Sequence, residues 1–376
     1  TIIDGGDDFI TLRSTVEGSG SDNVQQTGVK SIEGAGEHPI DFWIDFKGTI
    51  PEGATPRCAI VRVRYHNYTC EHDIFVRQGY APITINGNAE SDNNPAWTSY
   101  NVYRFDANNA PVYTKSPLEE GSLFRRGNRT AILASNNDRS GFTFGVEPTG
   151  SFNVLEFGSA TTSQKTWSQL APSTDDVTNR FKEWSIAGDH ERIATIEDFY
   201  TLESTSIHSN INKAYGVLYG DGATETQKSV KEAFGYDHNE DPTNSKKGMR
   251  GCFVFNVNNS RNIFFPIGKS GYGRRKGMTS NGEKVGTLRY AQRTDYYNND
   301  GTGNIQYVPL FYDLFERPGA IYQCRNRLES TNNEVKNSSA FDINYFTMGF
   351  EGFENGASNN SDGSDSDACF IRTVKY

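Results

Sequence analysis

The chain has 376 residues, 35% of them hydrophobic and 12% aromatic, with 37 glycines and a formal net charge of −10. This length predicts more than one hydrophobic core, and the aromatic, glycine-rich balance favours sheets and long structured loops over helix bundles. The acidic balance, with no basic run longer than the Gly273–Lys276 turn, argues against nucleic acid or an anionic membrane surface as partner; nowhere do about 18 apolar residues follow one another to span a bilayer.

Phe9–Leu12 and Asp41–Phe46 read as short strands. In Cys58–Tyr65 the residues Ala59, Val61, Val63 and Tyr65 alternate with Ile60, Arg62 and Arg64, the pattern of a half-buried strand. His66 and Asn67 turn the chain and Asp73–Gln78 returns beside it, so residues 1–85 are expected to form a small antiparallel sandwich of immunoglobulin-like size. The polar, glycine-containing, proline-terminated stretch Gly87–Pro95 marks a boundary, after which Trp97–Phe105 reads as the entry strand of a larger domain, 86–376. The chain begins at Thr1 without a methionine and reads as a processed form of a longer precursor.

Helices are expected to be few. Arg192–Leu202 reads as a short strand running into a helix: Thr195 is a good N-cap, Asp198 stands where a capping-box acid belongs, and Phe199 and Leu202 give one apolar face. Further helices are expected over Thr178–Trp184 and Glu225–Phe234. Cys369–Tyr376 reads as a closing strand. From about Gly268 to Asn337 runs a long stretch rich in Gly, Arg, Tyr and Asn with little periodicity, and loops of that length are uncommon unless functional or disordered.

No motif for catalysis, metal or cofactor survives inspection. Gly268-Lys269-Ser270 copies the end of a phosphate-binding loop, but the glycine required at its start is Ile263. His190-Glu191 has no second histidine at zinc-protease spacing, and the Asp362–Asp367 cluster fails the calcium-loop pattern because Thr373 stands where a bidentate Glu belongs. No serine elbow is present. Cys58, Cys70, Cys252, Cys324 and Cys369 match no zinc spacing and are expected to be small buried apolar residues.

Two segments carry a resemblance. Arg192–Leu202 together with Cys369–Tyr376 resembles the R-L-P-T-x-x-E-W-x-x-L and V-R-C-V-K frame of the Fibrobacter-type major paralogous domain, a C-type-lectin-like, formylglycine-generating-enzyme-like fold of bacterial surface proteins. Gly121–Gly127, Asn262–Gly273 and Gly319–Cys324 stand between them in the family's order. The family's proline is Ala194 here, its tryptophan Phe199, its last cysteine Thr373, and its tryptophan-serine-serine stretch Tyr322-Gln323-Cys324. Arg62–Pro82 also resembles the end of the sandwich that precedes lectin-like modules in Bacteroides-type fimbrial and cell-adhesion proteins.

The resemblance implies a β-rich α+β chain, an immunoglobulin-like sandwich followed by a C-type-lectin-like domain with few helices and long loops. It implies an exported, non-enzymatic adhesin of the outer membrane or fimbrium, a pilus tip or accessory subunit. The N-terminal domain would dock to a pilus or other surface subunit, and the lectin-like loops would take a host or bacterial glycan or protein ligand. In that fold the long-loop region holds the ligand, which points to Arg274, Arg275, Tyr290, Arg293, Tyr296 and Tyr297 as contacts, tyrosine and arginine being the residues that combine contact area with directional polar tips. The alternatives are an enzyme of the formylglycine-generating branch, which works with a cysteine pair, and a purely structural pilus component.

Overall fold

The short alternating stretches of this chain become short antiparallel strands. The computed structural model describes residues 1–4, 6, 8–14, 31, 42–115, 117, 119–125, 128–133, 150–170, 185–188, 190–202, 210–218, 249–266, 319–328, 337–344, 348–352 and 368–376. The first strands are β1 (Ile2–Asp4), β2 (Ile10–Ser14), β3 (Phe42–Phe46), β4 (Arg57–Tyr65) and β5 (Cys70–Gln78). Then come β6 (Ala96–Trp97), β7 (Val102–Phe105), β8 (Pro111–Tyr113), β9 (Ser122–Arg125), β10 (Ala131–Leu133), β11 (Ser151–Leu155), β12 (Thr162–Thr166) and β13 (Glu191–Ile193). A helix, α1 (Ile196–Tyr200), leads to β14 (Ile211–Leu218), β15 (Met249–Asn256), β16 (Asn262–Pro266), β17 (Gly319–Leu328), β18 (Asn337–Asn344), β19 (Met348–Gly352), β20 (Ala368–Cys369) and β21 (Thr373–Lys375). The expected helices at 178–184 and 225–234 lie outside the described residues.

Two N-terminal sheets, β1-β4-β5 and β2-β3, share a core of Ile2, Phe9, Ile10, Leu12, Ala59, Val61 and Val76. The remaining strands form the sheets β12-β11-β10-β9-β20, β13-β21-β6, β14-β15-β16 and β17-β18-β19 and the hairpin β7-β8. Leu123, Ile132 and Val154 of the five-stranded sheet face the main core with Trp97, Phe199, Phe265 and Tyr322. Phe124, Ala131, Leu133 and Leu155 face a second core with Phe105 and Ile371. A sheet covered on both sides reads as continuous apolar runs rather than an alternation, as Ser122–Arg125 and Ala131–Leu133 do.

The helix start has the expected chemistry. Asp198 N–H donates to Thr195 Oγ1 at 3.1 Å and Thr195 N–H donates to Asp198 Oδ2 at 2.8 Å, a capping box of the kind that contributes about 1 kcal/mol. Arg192 adds two hydrogen bonds to the same carboxylate, at 3.1 and 2.8 Å. Phe199 and Leu202 are fully buried, and the Phe199 ring lies 5.0 Å from Trp97.

Two regions differ from the sequence reading. Trp97–Phe105 is not one strand: β6 and β7 are separated by Thr98–Asn101, of which Thr98, Ser99 and Asn101 are buried polar residues. Strand β4 is buried on both faces over its first half, with Cys58 at 7% and Ile60 at 2% exposure besides Ala59 and Val61, while Tyr65 at the far end is exposed. The extra cover comes from β15 and β16. Phe75, paired with Ile60 across the hairpin, packs 5.1 Å from Phe253 and 4.6 Å from Phe255. Ile83 and Ile85 lie in the main core with Cys58 and Trp97, and Ile83 and Trp97 exchange backbone hydrogen bonds of 3.0 and 2.9 Å.

Close approach requires glycine at two places. A Cβ on Gly121, whose φ is +93°, would stand 2.7 Å from Asn101 Cβ, and one on Gly251 would stand 2.3 Å from the Phe264 ring. Cys58, Cys252 and Cys369 are buried, as expected, whereas Cys70 is only half-buried. The side chain of Cys324 is outside the described set.

Candidate functional site

The six expected contacts, Arg274, Arg275, Tyr290, Arg293, Tyr296 and Tyr297, all fall between residues 267 and 318, outside the described residues, as does the Asp362–Asp367 cluster. The described residues do define the ground from which that stretch departs, Pro266 at the end of β16, and to which it returns, Gly319 at the start of β17. The Tyr322 side chain of β17 reaches the end of β16. Tyr322 Oη donates to Pro266 O at 3.4 Å, and the Phe265 and Tyr322 rings meet edge to face at 5.3 Å. Asn101 Nδ2 donates to Tyr322 Oη at 3.1 Å and to Glu120 O at 2.7 Å, tying the β6–β7 turn to the same place.

Packed against both strands lies Arg372, with no solvent exposure. Its Nε donates to Asn101 Oδ1 at 2.8 Å, Nη1 to Thr98 O at 2.9 Å and Nη2 to Phe264 O at 3.1 Å. The guanidinium sits 4.7 Å from the Phe265 ring centroid and 5.9 Å from that of Tyr322. Among the described residues no carboxylate lies within ion-pair distance, so carbonyl dipoles and ring faces hold the charge. Burial pulls its pKa below the ordinary arginine value, against the stabilising influence of Tyr322. Burial likewise raises the Tyr322 phenol, which therefore stays protonated and able to donate.

A second guanidinium repeats the device. Arg77 donates to Gly79 O (3.0 Å), Asn262 O (2.9 Å), Ala81 O (2.9 Å) and Ser99 Oγ (2.7 Å). It joins β5 to the first residue of β16 and to the β6–β7 turn that also serves Arg372. Burial lowers its pKa, and Arg372 is close enough to lower it further.

A titratable cluster lies at Thr373, the first residue of β21 and the neighbour of Arg372. Tyr113 Oη and Thr373 Oγ1 both donate to Glu191 Oε1, the latter at 2.9 Å, while Thr98 Oγ1 donates to Thr373 O at 2.9 Å. Burial raises the Glu191 pKa above the usual carboxylate range, opposed by the Thr373 hydrogen bond and by Lys375. The cluster ties β8 to β13 and β21. Burial also pushes the Cys252 thiol up to about 12 and raises that of Cys58, so both are protonated and poorly nucleophilic at neutral pH. Among the described residues no group of three His, Cys, Asp or Glu side chains is placed to hold a metal ion.

Sequence reasoning missed Arg372, Asn101, Thr98 and Glu191. One signal was available for the first: a lone arginine inside the apolar run Phe370-Ile371-Arg372-Thr373-Val374 must either reach solvent or find buried acceptors. The Glu191 cluster has no local signal, since Tyr113, Glu191 and Thr373 come from three distant parts of the chain. No protein-family model matches the chain, and comparisons with curated proteins and with solved structures find no match.

Replacing Arg372 with Met strands three buried acceptors, and the expected loss in urea-unfolding stability is about 3–5 kcal/mol. Arg372→Lys, which keeps the charge without the fork, is expected to lose about 2 kcal/mol. For Glu191 the folded-state pKa lies above the unfolded one, so between the two values the folded protein holds more protons and its stability falls as pH rises. Glu191→Gln keeps an acceptor oxygen and removes the buried charge. The stability difference between this variant and the parent, from urea unfolding at pH 4.5 and pH 7.5, is expected to move in the variant's favour at the higher pH.

Proposed function

We propose that this chain is a non-enzymatic cell-surface adhesin, a fimbrial tip or accessory subunit that holds a host or bacterial glycan or protein ligand through residues 267–318. In this reading residues 1–85 are an immunoglobulin-like docking module and residues 86–376 a C-type-lectin-like module. The observation that carries it is the contact between β16 and β17, the strands on either side of this segment, through Tyr322, with the Arg372 network packed against both. A long tyrosine- and arginine-rich segment set between two strands of a packed core is an arrangement in which a scaffold can present a binding loop.

Docking through the N-terminal module is supported by β3, the outer strand of the two-stranded sheet β2-β3. Phe42, Ile44 and Phe46 share one of its faces. Ile44 packs on the core, while Phe42 and Phe46 remain 40% and 48% exposed, so apolar surface at this edge is left for an added strand. The protonated thiols of Cys58 and Cys252 give no support to cysteine-based catalysis by those two residues.

The test compares the parent with a variant carrying Arg293, Tyr296 and Tyr297 changed to Ala, on a glycan array and on immobilised host-cell surface proteins. The expected result is binding by the parent and a loss of about tenfold or more in the variant. Equal binding by both would remove the site, and a parent that binds nothing on either panel would contradict the adhesin reading.

A further inference from the structure

The β4–β5 hairpin closes on the pair Tyr65 and Cys70 and turns through His66–Thr69. His66, Asn67 and Tyr68 have φ of 50°, 56° and 64° in succession, the left-handed region that disfavours any residue with a Cβ, an asparagine least and a bulky ring most. With Thr69 N–H bonded to His66 O, Asn67 and Tyr68 take the central positions of a type I′-like turn, which hairpins favour and which needs φ > 0 at both; the departures are the left-handed His66 and a tyrosine where glycine is usual. The conformation is locked, because Thr69 donates to His66 O through both its N–H (3.1 Å) and its Oγ1 (2.5 Å). The stem below is rigid. Arg62 is paired with Asp73 and Arg64 with Glu71, and the base of the hairpin is packed between two cores.

What this strained turn presents is aromatic surface. Tyr68 is 69% exposed, the highest among the described large hydrophobic side chains, and Tyr65 is 48% exposed with its ring 5.2 Å from that of His66. Observed strain at a preorganised, exposed position is the mark of a functional constraint. We propose that this tip is a binding site for neutral oligosaccharide, in which the Tyr65 and Tyr68 rings stack on the apolar faces of sugar rings and His66, Asn67 and Thr69 supply hydrogen bonds.

The chemistry selects this class. Residues 65–69 carry no formal charge with His66 neutral, and Arg62 and Arg64 are each paired with a carboxylate, so among the described residues the hairpin itself offers an anionic ligand no unpaired side-chain cation. A purely apolar partner would cover the polar groups of His66 and Asn67 without replacing their hydrogen bonds to water. A neutral sugar offers an apolar face and a rim of hydroxyls together, which is what tyrosine with short polar neighbours recognises. The site is independent of the role given to residues 267–318.

The test titrates the full chain with cellohexaose, mannohexaose and N-acetylchitohexaose, and with hyaluronan hexasaccharide as the anionic comparison, by calorimetry and saturation-transfer NMR. At least one neutral hexasaccharide is expected to bind more tightly than hyaluronan, with affinity falling about tenfold in Tyr68→Ala. Tyr68→Gly separates a strained functional residue from a structural one: glycine adopts a φ of 64° freely, so the melting temperature should rise by about 1–4 °C while binding is lost as in the alanine variant. No binding of any neutral hexasaccharide, tighter binding of hyaluronan, or unchanged affinity in a Tyr65→Ala, Tyr68→Ala double variant would each overturn the proposal.

Discussion

A guanidinium sealed inside an apolar core, with no carboxylate within ion-pair distance among the described residues, restricts everything around it. Taking such a charge out of water costs several kcal/mol, and only hydrogen bonds to the charged group, at roughly 1.5–3 kcal/mol each, together with ring faces at about 2 kcal/mol, can offset that. The three acceptors of Arg372 come from the β6–β7 turn and from β16, and its rings come from β16 and β17. Thr98–Asn101 turn inward instead of continuing a strand, because Thr98 O and Asn101 Oδ1 are needed by the arginine. Phe264 must offer its carbonyl to Arg372, and this fixes where β16 runs before the chain leaves at Pro266. The burial of one side chain thus helps to place the two strands on either side of the segment given the binding role.

Arg77 extends the same logic toward the N-terminus. It is satisfied by carbonyls and one hydroxyl, and it shares the Thr98–Asn101 region with Arg372. The β4–β5 hairpin is therefore common property: Ala59, Val61 and Val76 pack into the N-terminal core, while Phe75 and Arg77 engage β15 and β16.

What could be read from the sequence was what is local. The capping box at Thr195 and Asp198 spans four residues and was legible in full, and the hairpin was legible except that its second strand starts at Cys70 rather than Asp73, after a turn that runs to Thr69. The second buried face of β4 was not, because the rings that cover it, Phe253 and Phe255, come from far along the chain. The break after Trp97 was hidden for the same reason: its cause is an arginine near the C-terminus. The candidate ligand contacts were singled out by composition and by lack of periodicity, signals that locate a region without arranging its side chains.

Native-state hydrogen exchange tests the central role of Arg372 most directly. The amides of Thr98, Val102, Gln323 and Ala194 donate to Thr373 O, Ile371 O, Phe370 O and Arg372 O, and so bracket the guanidinium from four sides. If the buried arginine holds these segments as one unit, the four amides will exchange with a single protection free energy equal to that of global unfolding, and will lose it together in Arg372→Met. Exchange of Thr98 and Val102 through a separate, lower-energy opening, with Gln323 and Ala194 still protected, would contradict the account.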